Sequence, residues 1–380
     1  GMHGVDWEKM QTKYEALMPY VQHRTDLTYV LGELISELNV GHAYTGGGDM
    51  PKVKTIAIGQ LGADLELVGK NWKFTNILVG RNWEESKRSP LTVPGVDVTK
   101  GMYLLAIDDV KVTEDFTPNM ALENKANKLV KITVNSSASM SGAKEYYIKT
   151  IKSDNDLRYY NWVEGRRKIV DEKSGGKIGY IHIPDMGVGN GLNEFAKTFY
   201  SQLDKEGLII DDRYNGGGNV SPMIIERLRR YISIAQHIRN QEDVSAKPDA
   251  TFMGPMVCLI NEMSMSDGDL FPYQFRYYGL GKLIGKRTWG GVIGIRGSLP
   301  FIDGGYLTRP EFANLGAKGD WVLEGTGITP DIEVDNHPAK VMEGIDQQLE
   351  RAIEEVQKEM KTFDKNKKLP VIPPFPDKSK

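Results

Sequence analysis

Hydrophobic residues near the start of the chain recur at helical spacing. Two sets of such positions predict two helices between residues 5 and 39: Trp7, Met10, Tyr14, Leu17 and Val21, and then Leu27, Leu31, Leu34, Ile35 and Leu38. Asp26 is the expected N-cap of the second helix. The pattern ends at Asn39, so His42 is expected in the glycine-flanked loop that follows the second helix.

Short β-type runs dominate the next hundred or so residues. Residues 52–59 and 130–135 favour strands, and residues 100–112 predict a strand, a tight turn and a second strand. The last run resembles the PDZ pattern, although Asp109 stands where many PDZ domains have glycine; aspartate also tolerates turn positions. PDZ domains bind extended peptide ends by strand addition, so the resemblance implies peptide binding. A small β-rich spacer is the alternative.

From about residue 155 onward, apolar strands alternate with helical patterns. Strands are predicted at residues 177–184, 207–211 and 256–260, and helices at residues 189–205, at residues 220–235 and directly after Ser266. Such alternation predicts right-handed crossovers and a largely parallel sheet with helices on its faces.

Composition and charge exclude several classes of function. The 380 residues suffice for two or three domains, and 48 basic against 51 acidic residues, without a long block of one sign, disfavour a nucleic-acid partner. No apolar run reaches transmembrane length and no signal segment opens the chain, so we expect a cytoplasmic protein without a membrane partner. Gly1 before Met2 is compatible with an upstream signal peptide that has been removed. The single Cys258 excludes an internal disulfide and a cysteine zinc site.

Residues 261–269 (Asn-Glu-Met-Ser-Met-Ser-Asp-Gly-Asp) carry the strongest chemical signal in the chain. They place Ser266 between a buried strand and a helix, where nucleophiles are often displayed. Asp267 and Asp269 fall in the first helical turn, where carboxylates suit the positive end of the helix dipole. Free backbone N–H groups at this point can stabilise an oxyanion on a bound carbonyl. The alternative is that Ser266 is simply an N-cap.

Residues 212–218 (Asp-Arg-Tyr-Asn-Gly-Gly-Gly) follow the end of another predicted strand. Three glycines let backbone amides approach a ligand without interference from Cβ atoms, which suits an oxyanion hole or a phosphate cradle. The run lacks the Lys-Ser/Thr ending of a nucleotide-binding loop, so the oxyanion role fits better. Parallel strands end at one edge of a sheet, so this loop and Ser266 are expected to converge. A helix entry that needs glycine for close packing is the alternative.

A serine nucleophile needs a base and usually an acid that orients the base. Of the six histidines, His42 has the best chance of reaching a cleft, whereas His182 lies in a predicted core strand and is expected to be structural. Glu324 lies in a loop with several glycines and a proline, a setting that favours function, and is the expected orienting acid.

Several of these motifs, in this order, resemble the C-terminal half of the tricorn protease family, serine peptidases related to the C-terminal processing proteases. The resemblance runs from Trp7 to about residue 345, and its motifs occupy residues 24–34, 38–44, 213–218, 261–269, 285–291 and 327–331. It implies a multidomain α+β and α/β fold. N-terminal helices and a PDZ-like β-rich domain would accompany a crotonase/ClpP-like α/β catalytic domain with a largely parallel sheet.

The resemblance also implies a role for each candidate site residue. Ser266 would be the nucleophile, His42 the general base and Glu324 the residue that supports the base. The amides of Asp267 and Gly217 would form the oxyanion hole. The resemblance further implies oligopeptide substrates, no cofactor, no metal, and a homo-oligomer in the full-length form.

Two positions depart from the relatives. The tricorn family has a serine directly before the catalytic histidine, which helps to complete a catalytic tetrad. This chain has Gly41 at that position, so the groups that support His42 are expected to differ from those of the family. The processing proteases place a lysine base about 25 residues after the nucleophile. That spacing lands on Gly291, and Lys286 is the weaker base candidate. The rival hypotheses are a Ser-Lys processing protease and an inactive scaffold that binds peptides or lipophiles.

These patterns divide the chain into four expected segments. They are a helical segment with His42 at residues 1–49, a PDZ-like domain at 50–152, an α/β serine peptidase domain at 153–350, and a C-terminal helix end with a mobile Pro/Lys-rich tail at 351–380.

Overall fold

The computed structural model describes residues 3–240, 244–297, 300–363, 372–374 and 376–379. Much of the predicted mobile tail therefore lies outside the described residues. The chain divides into two compact units: residues 1–51 with 167–380 form the larger unit, and residues 52–166 form the smaller unit. In the described part of the chain, no helix is both long and apolar enough to cross a membrane.

Helices and strands occur in both units. The α-helices are α1 (Trp7–Glu15), α2 (Arg24–Ser36), α3 (Pro118–Ala121), α4 (Asn155–Ser174), α5 (Asn193–Tyr200), α6 (Ser221–Leu228), α7 (Asp267–Tyr277), α8 (Pro338–Met342) and α9 (Gln347–Thr362). The strands are β1 (Thr45–Gly47), β2 (Ala63–Val68), β3 (Asn71–Ile77), β4 (Tyr103–Ile107), β5 (Val110–Lys111), β6 (Leu129–Asn135), β7 (Lys144–Lys149), β8 (Ile178–His182), β9 (Gly207–Asp211), β10 (Ile234–His237), β11 (Val244–Lys247), β12 (Met256–Ile260), β13 (Gly281–Gly285), β14 (Gly294–Arg296), β15 (Gly305–Leu307), β16 (Arg309–Phe312) and β17 (Ile332–Glu333).

A parallel sheet forms the centre of the larger unit. Its strand order is β17-β13-β12-β9-β8, and each neighbouring pair runs parallel. β8, β9 and β12 are buried along their whole length because apolar side chains cover both faces, as in sheets flanked by helices. The largely parallel sheet that the sequence predicts is confirmed.

The carboxyl edge of this sheet brings two predicted motifs together. The glycine loop, residues 212–218, leaves β9, and residues 261–266 leave the neighbouring strand β12. The Met265 N–H donates to the Asn215 carbonyl oxygen at 2.9 Å. The expected convergence of the glycine loop and the segment that carries Ser266 is therefore confirmed.

The smaller unit contains an antiparallel sheet of the order β2-β3-β4-β6-β7, with β5 paired to β4. The predicted strand, turn and strand at residues 100–112 are confirmed as β4 and β5. Asp108 and Asp109 form the turn between them with φ of +48° and +65°. Aspartate tolerates this left-handed conformation, which explains how Asp109 can replace a glycine.

Three local predictions were wrong. Residues 52–57 are exposed and form no strand, and only Ile58 makes an isolated bridge, to Glu123. The helix predicted at residues 220–235 ends at Leu228, because β10 pairs with β11 in a hairpin instead. The helix predicted at residues 189–205 opens with a π-helical turn and ends at Tyr200.

The N-cap prediction for α2 was also wrong. His23 occupies the N-cap position, and Asp26 is the third residue of the helix. The Asp26 carboxylate accepts hydrogen bonds from the N–H groups of Gln22 and His23, both at 3.0 Å. From within the first turn of the helix, Asp26 thus accepts hydrogen bonds from the backbone that precedes it, as the third residue of a capping box does.

Candidate active site

Ser266 lies directly before α7 in an uncommon backbone conformation. Its φ is +59° and its ψ is −115°, values of the first central position of a type II′ turn, which glycine usually occupies. An ordinary N-cap residue has β-region dihedrals, so capping alone does not account for this geometry. A strained non-glycine residue of this kind costs about 1–3 kcal/mol and persists where the surrounding structure fixes it, commonly at functional sites.

Hydrogen bonds from both neighbouring segments fix the Ser266 turn. The Ser266 N–H donates to Asp269 Oδ2 at 2.8 Å, and the Ser264 hydroxyl donates to the Asp212 carbonyl oxygen at 2.8 Å. The Asp267 carboxylate accepts the N–H of Ser221, the first residue of α6, at 2.9 Å. The sequence Ser-Met-Ser-Asp-Gly-Asp therefore places hydrogen-bonding side chains on both sides of the serine.

The glycine loop packs closely against Ser266. Gly217 has a φ of +83°, and a Cβ atom built on it would lie 2.7 Å from the Ser266 Cβ atom and 3.3 Å from the Asp267 nitrogen. Only a glycine fits at this position, because such distances are shorter than real Cβ contacts. Glycine is thus needed here for a close backbone approach to the serine.

Some of the backbone N–H groups near Ser266 already donate a hydrogen bond, and others do not. The Gly217 N–H, the predicted oxyanion donor, already donates to Asn215 Oδ1 at 2.9 Å. The N–H groups of Gly218 and Asp267 have no hydrogen-bond acceptor among the described residues. Asp267 is the first residue of α7, where the backbone N–H is left free by the helix.

His42 lies in the loop between α2 and β1, as the sequence predicts. The antiparallel pairing of β1 with β15 and a hydrogen bond from the Thr308 hydroxyl to the His42 carbonyl oxygen hold the loop. The imidazole ring meets Trp289 edge to face, with ring centroids 5.4 Å apart. Its Nδ1 atom is buried without a hydrogen-bond partner in the described part of the chain.

Partial burial lowers the pKa of His42 below its ordinary value. The negative charge of Glu324 and the backbone of Ile293 act in the opposite direction but offset burial only in part. A histidine with a lowered pKa is neutral at physiological pH and can accept a proton, which is the state that a general base requires.

Glu324 lies next to His42 but is bound by backbone groups. Its Oε1 atom accepts the Gly41 N–H at 2.8 Å, and its Oε2 atom accepts the N–H groups of Val292 and Ile293 at 2.7 and 2.9 Å. The carboxylate therefore ties the residue before His42 to the segment 288–293, which also carries Trp289. No hydrogen bond between Glu324 and the His42 ring occurs among the described residues.

Ser266 and His42 are both linked to the segment 288–293, Ser266 through Asp269 and His42 through the contact of its ring with Trp289. No hydrogen bond connects the Ser266 hydroxyl to the His42 ring within the described residues. The connection runs through Asp269, which accepts hydrogen bonds from Ser266 and from Gly290 in the segment 288–293. Catalytic hydrogen bonds are often long or unformed without substrate.

The other candidate bases lie in different settings. Lys286 pairs with Glu333 at 2.9 Å, and the hydrogen bond and charge of Glu333 raise the pKa of this lysine. His182 is buried in β8, with Nε2 2.9 Å from the Arg213 carbonyl oxygen, so its predicted structural role is confirmed. Across the described residues, no group of three or more His, Cys, Asp or Glu side chains is arranged to hold a metal ion.

Sequence reasoning did not predict the contacts that two buried residues make in this neighbourhood. Asn215 accepts the N–H groups of Gly217 and Met265, through its side chain and its carbonyl oxygen respectively, and donates to Asp212. Asp269 joins the serine turn to Gly290. A signal for Asp269 was present, because an acidic residue three positions after a serine is typical of a capping box.

Three family models match the chain in sequence. They are the tricorn protease C1 domain at residues 1–36, the tricorn protease PDZ domain at residues 59–153 and peptidase family S41 at residues 177–334. The second match agrees with the PDZ resemblance of residues 100–112. The third contains Ser266, the glycine loop and Glu324.

Individual relatives agree with these models. The chain is 36% identical over 366 residues to a tricorn protease from Thermoplasma acidophilum, which covers 96% of this chain and 34% of the relative. It is 37% identical over 357 residues to a putative tricorn-like protease C-terminal subunit from Sulfurisphaera tokodaii, covering 92% and 40%. A crystal structure of the tricorn protease matches with a TM-score of 0.86 at 35% identity, covering 93% of this chain and 34% of that chain.

The chain spans about a third of the length of the tricorn proteases that it matches. Within that span, the helical segment, the PDZ domain and the peptidase domain follow in the same order as the three family models. The chain belongs to the tricorn protease family, and residues 177–334 are a serine-type peptidase domain of family S41.

Proposed function

We propose that the chain is a serine endopeptidase that hydrolyses oligopeptides with Ser266 as nucleophile, His42 as general base and Glu324 as supporting acid. The observation that carries the proposal is the backbone of Ser266, held at φ +59° where α7 begins and the glycine loop approaches. Such a turn displays a nucleophile beside free backbone donors.

In the proposed reaction, the Ser266 hydroxyl oxygen attacks the carbonyl carbon of the scissile peptide bond while His42 accepts the hydroxyl proton. The negative charge on the carbonyl oxygen is stabilised by the Asp267 N–H and an N–H of the glycine loop. Gly218 is the stronger candidate for the second donor, because the Gly217 N–H is engaged by Asn215. The protonated His42 then gives its proton to the leaving amine, and water hydrolyses the acyl-enzyme.

The proposed role of Glu324 differs from that of an acid that binds the imidazole. Its hydrogen bonds to Gly41, Val292 and Ile293 hold the backbone around His42, and its charge stabilises the imidazolium formed during the reaction. Support for His42 therefore comes through backbone contacts and through charge.

Two rival functions make different predictions. A Ser-Lys mechanism needs an unprotonated lysine near the serine, and the ion pair of Lys286 with Glu333 favours the charged form of the lysine. A peptide- or lipophile-binding scaffold needs no reactive serine, and the strained backbone of Ser266 would have no use in it.

Peptide hydrolysis by purified variants tests the proposal. Ser266→Ala and His42→Ala are expected to lower kcat by at least about 10³-fold, since a nucleophile and its base act as one unit. Lys286→Ala is the matched control and is expected to retain activity within about threefold, because an exposed ion pair contributes little. Activity that survives Ser266→Ala would reject the nucleophile, and loss in Lys286→Ala with retention in His42→Ala would favour the lysine mechanism.

A fluorophosphonate probe distinguishes an enzyme from a scaffold without knowledge of the substrate. Mass spectrometry is expected to find the probe on Ser266 in the wild-type protein and to find labelling lost in His42→Ala. An unlabelled wild-type protein would favour the binding scaffold.

Further features belong to the same proposal. We propose oligopeptides as partners, a homo-oligomer in the full-length form and a cytoplasmic location, together with the four-segment division at residues 49/50, 152/153 and 350/351. Similarity to tricorn proteases along almost the whole chain supports the first of these.

A further inference from the structure

Asp269 is a buried carboxylate that the proposed reaction does not use. It lies in the first turn of α7 and has no exposed surface. Oδ2 accepts the Ser266 N–H and Oδ1 accepts the Gly290 N–H, both at 2.8 Å. Burial raises the pKa of this carboxyl, and the Thr288 side chain and the Gly291 backbone act in the opposite direction by favouring its charged form.

The N–H group that donates to Asp269 Oδ1 belongs to Gly290, in the segment 288–293. This segment contacts both other members of the proposed catalytic group. Trp289 meets the His42 ring, and a Cβ atom on Gly41 would lie 2.8 Å from the Gly291 Cα atom. Val292 and Ile293 donate to Glu324, and the Gly290 carbonyl oxygen accepts the Gly325 N–H at 2.7 Å.

Helix capping alone explains only half of this arrangement. A capping box accounts for the bond from the Ser266 N–H to Asp269, because it satisfies the start of α7. It does not account for the bond from the Gly290 N–H, which comes from a segment that follows β13. Burial of a carboxylate is unfavourable unless such donors compensate it, so both sets of hydrogen bonds are needed together.

We propose that Asp269 is a positioning residue that fixes the distance between Ser266 and His42 by tying the serine turn to the segment 288–293. The inference rests on the proposed function, in which these two residues exchange a proton. A displacement of about 1 Å between reacting groups can lower the rate about 100-fold. Loss of the tie therefore acts on the chemical step rather than on substrate binding.

Asp269→Asn tests the role with little change in shape. The amide nitrogen of asparagine cannot accept a hydrogen bond, so one of the two sides of the tie is lost. The expected result is a fall in kcat of about 100-fold, with KM within about twofold. Glu355→Gln is the matched control: Glu355 is a buried carboxylate of α9 that pairs with Lys282 and Arg351, and kcat is expected to stay within about twofold.

A milder variant covers the case in which Asp269→Asn does not fold. Thr288→Val retains the carboxylate and removes a hydroxyl that favours its charged form and that also accepts the Ile328 N–H at 2.9 Å. It is expected to lower kcat about tenfold with KM unchanged, since the carboxylate that ties the two segments is then less well stabilised. Wild-type kcat in either folded variant would overturn the positioning role.

Crystal structures of the wild-type protein and a folded variant give a measurement that does not depend on turnover. The separation of Ser266 Oγ from the nearest His42 ring nitrogen is expected to grow by about 1 Å in Asp269→Asn. If the wild-type protein hydrolyses no peptide and this separation still grows, the proposed function fails while the positioning role stands. An unchanged separation overturns the positioning role whether or not the protein is active.

Discussion

Gly41 lies where the loop that carries His42 comes close to the segment 288–293. A Cβ atom on Gly41 would lie 2.8 Å from the Gly291 Cα atom and 3.3 Å from Glu324 Oε1. The first distance is shorter than real contacts of Cβ atoms, and the neighbour is backbone that cannot rotate away. The position of Gly41 therefore has no room for a side chain.

Gly41→Ala is expected to destabilise the protein by about 1–3 kcal/mol, the usual cost of forcing an extra carbon into a packed site. Displacement of Gly291 would also disturb the neighbouring donors Val292 and Ile293, so peptide turnover is expected to fall. Urea unfolding and initial rates measure the two effects. Gly32→Ala is the control, because Gly32 lies inside α2 and its nearest neighbour, a Thr45 methyl group, is 3.8 Å away.

The control variant is expected to gain about 0.5–1 kcal/mol, since alanine favours a helix interior over glycine. A Gly41→Ala protein as stable and active as the wild-type protein would show that the segment at Gly291 moves away without cost.

For individual residues, the sequence predicted the side chains that are expected to take part in the reaction. It did not predict the hydrogen bonds that hold those side chains in place. Ser266, His42 and Glu324 were predicted from residue type, from loop setting and from resemblance, and the structure gathers them in the larger unit. The bond of Asp269 to the Gly290 N–H joins segments about twenty residues apart in the chain, and no local pattern indicates such pairing.

Among the elements, α9 is attached to the sheet through a buried ion pair. Asp346 is the N-cap of α9 and accepts the Leu349 N–H at 3.0 Å. Its two oxygen atoms also accept from Arg213 at 2.8 and 3.0 Å, while Arg213 binds Asp211 at the end of β9. Burial alone would raise the pKa of Asp346, but the charge and hydrogen bonds of Arg213 lower it to about 2.

Asp346→Asn is expected to reduce the free energy of unfolding by about 2–4 kcal/mol at pH 7, because it leaves the buried Arg213 charge partly uncompensated. The folded-state pKa of about 2 lies below the ordinary 3.8. The stabilisation is therefore complete above pH 3.8 and is lost as the pH falls through 2. Urea unfolding of both proteins from pH 7 to pH 2.5 measures the difference, which should stay constant to about pH 4 and then shrink.

Asp335→Asn provides the control for this experiment. Asp335 is an exposed carboxylate 3.8 Å from Lys286, and its loss is expected to cost less than about 1 kcal/mol at every pH. A difference for Asp346→Asn that grows as the pH falls would contradict the assigned pKa.

The elements that the sequence predicted correctly share a strong local signal. β8, β9 and β12 read as continuous apolar runs, and a strand buried on both faces has that pattern. The wrong predictions concern segments whose secondary structure depends on whether a distant segment of the chain pairs with them. Residues 229–235 were predicted to continue a helix, but β10 pairs with β11. Residues 52–57 have strand-like composition but remain exposed without a partner strand in the described chain.

In the whole molecule, each compact unit has a hydrophobic core of its own. The core of the larger unit includes Ile210, Cys258 and Leu283, and that of the smaller unit includes Phe74 and Ile132. The two sets of core residues have no member in common. Cooperative unfolding is a property of one packed core, so units with separate cores can unfold in separate transitions.

Differential scanning calorimetry of the wild-type protein is therefore expected to resolve two unfolding transitions. Ile132→Ala and Leu283→Ala each remove a fully buried side chain and are expected to destabilise their own unit by about 2–5 kcal/mol. Ile132→Ala should lower the Tm of one transition and Leu283→Ala the Tm of the other, because the lost contacts belong to different cores. A single transition that both variants lower equally would show that the two cores unfold as one cooperative structure.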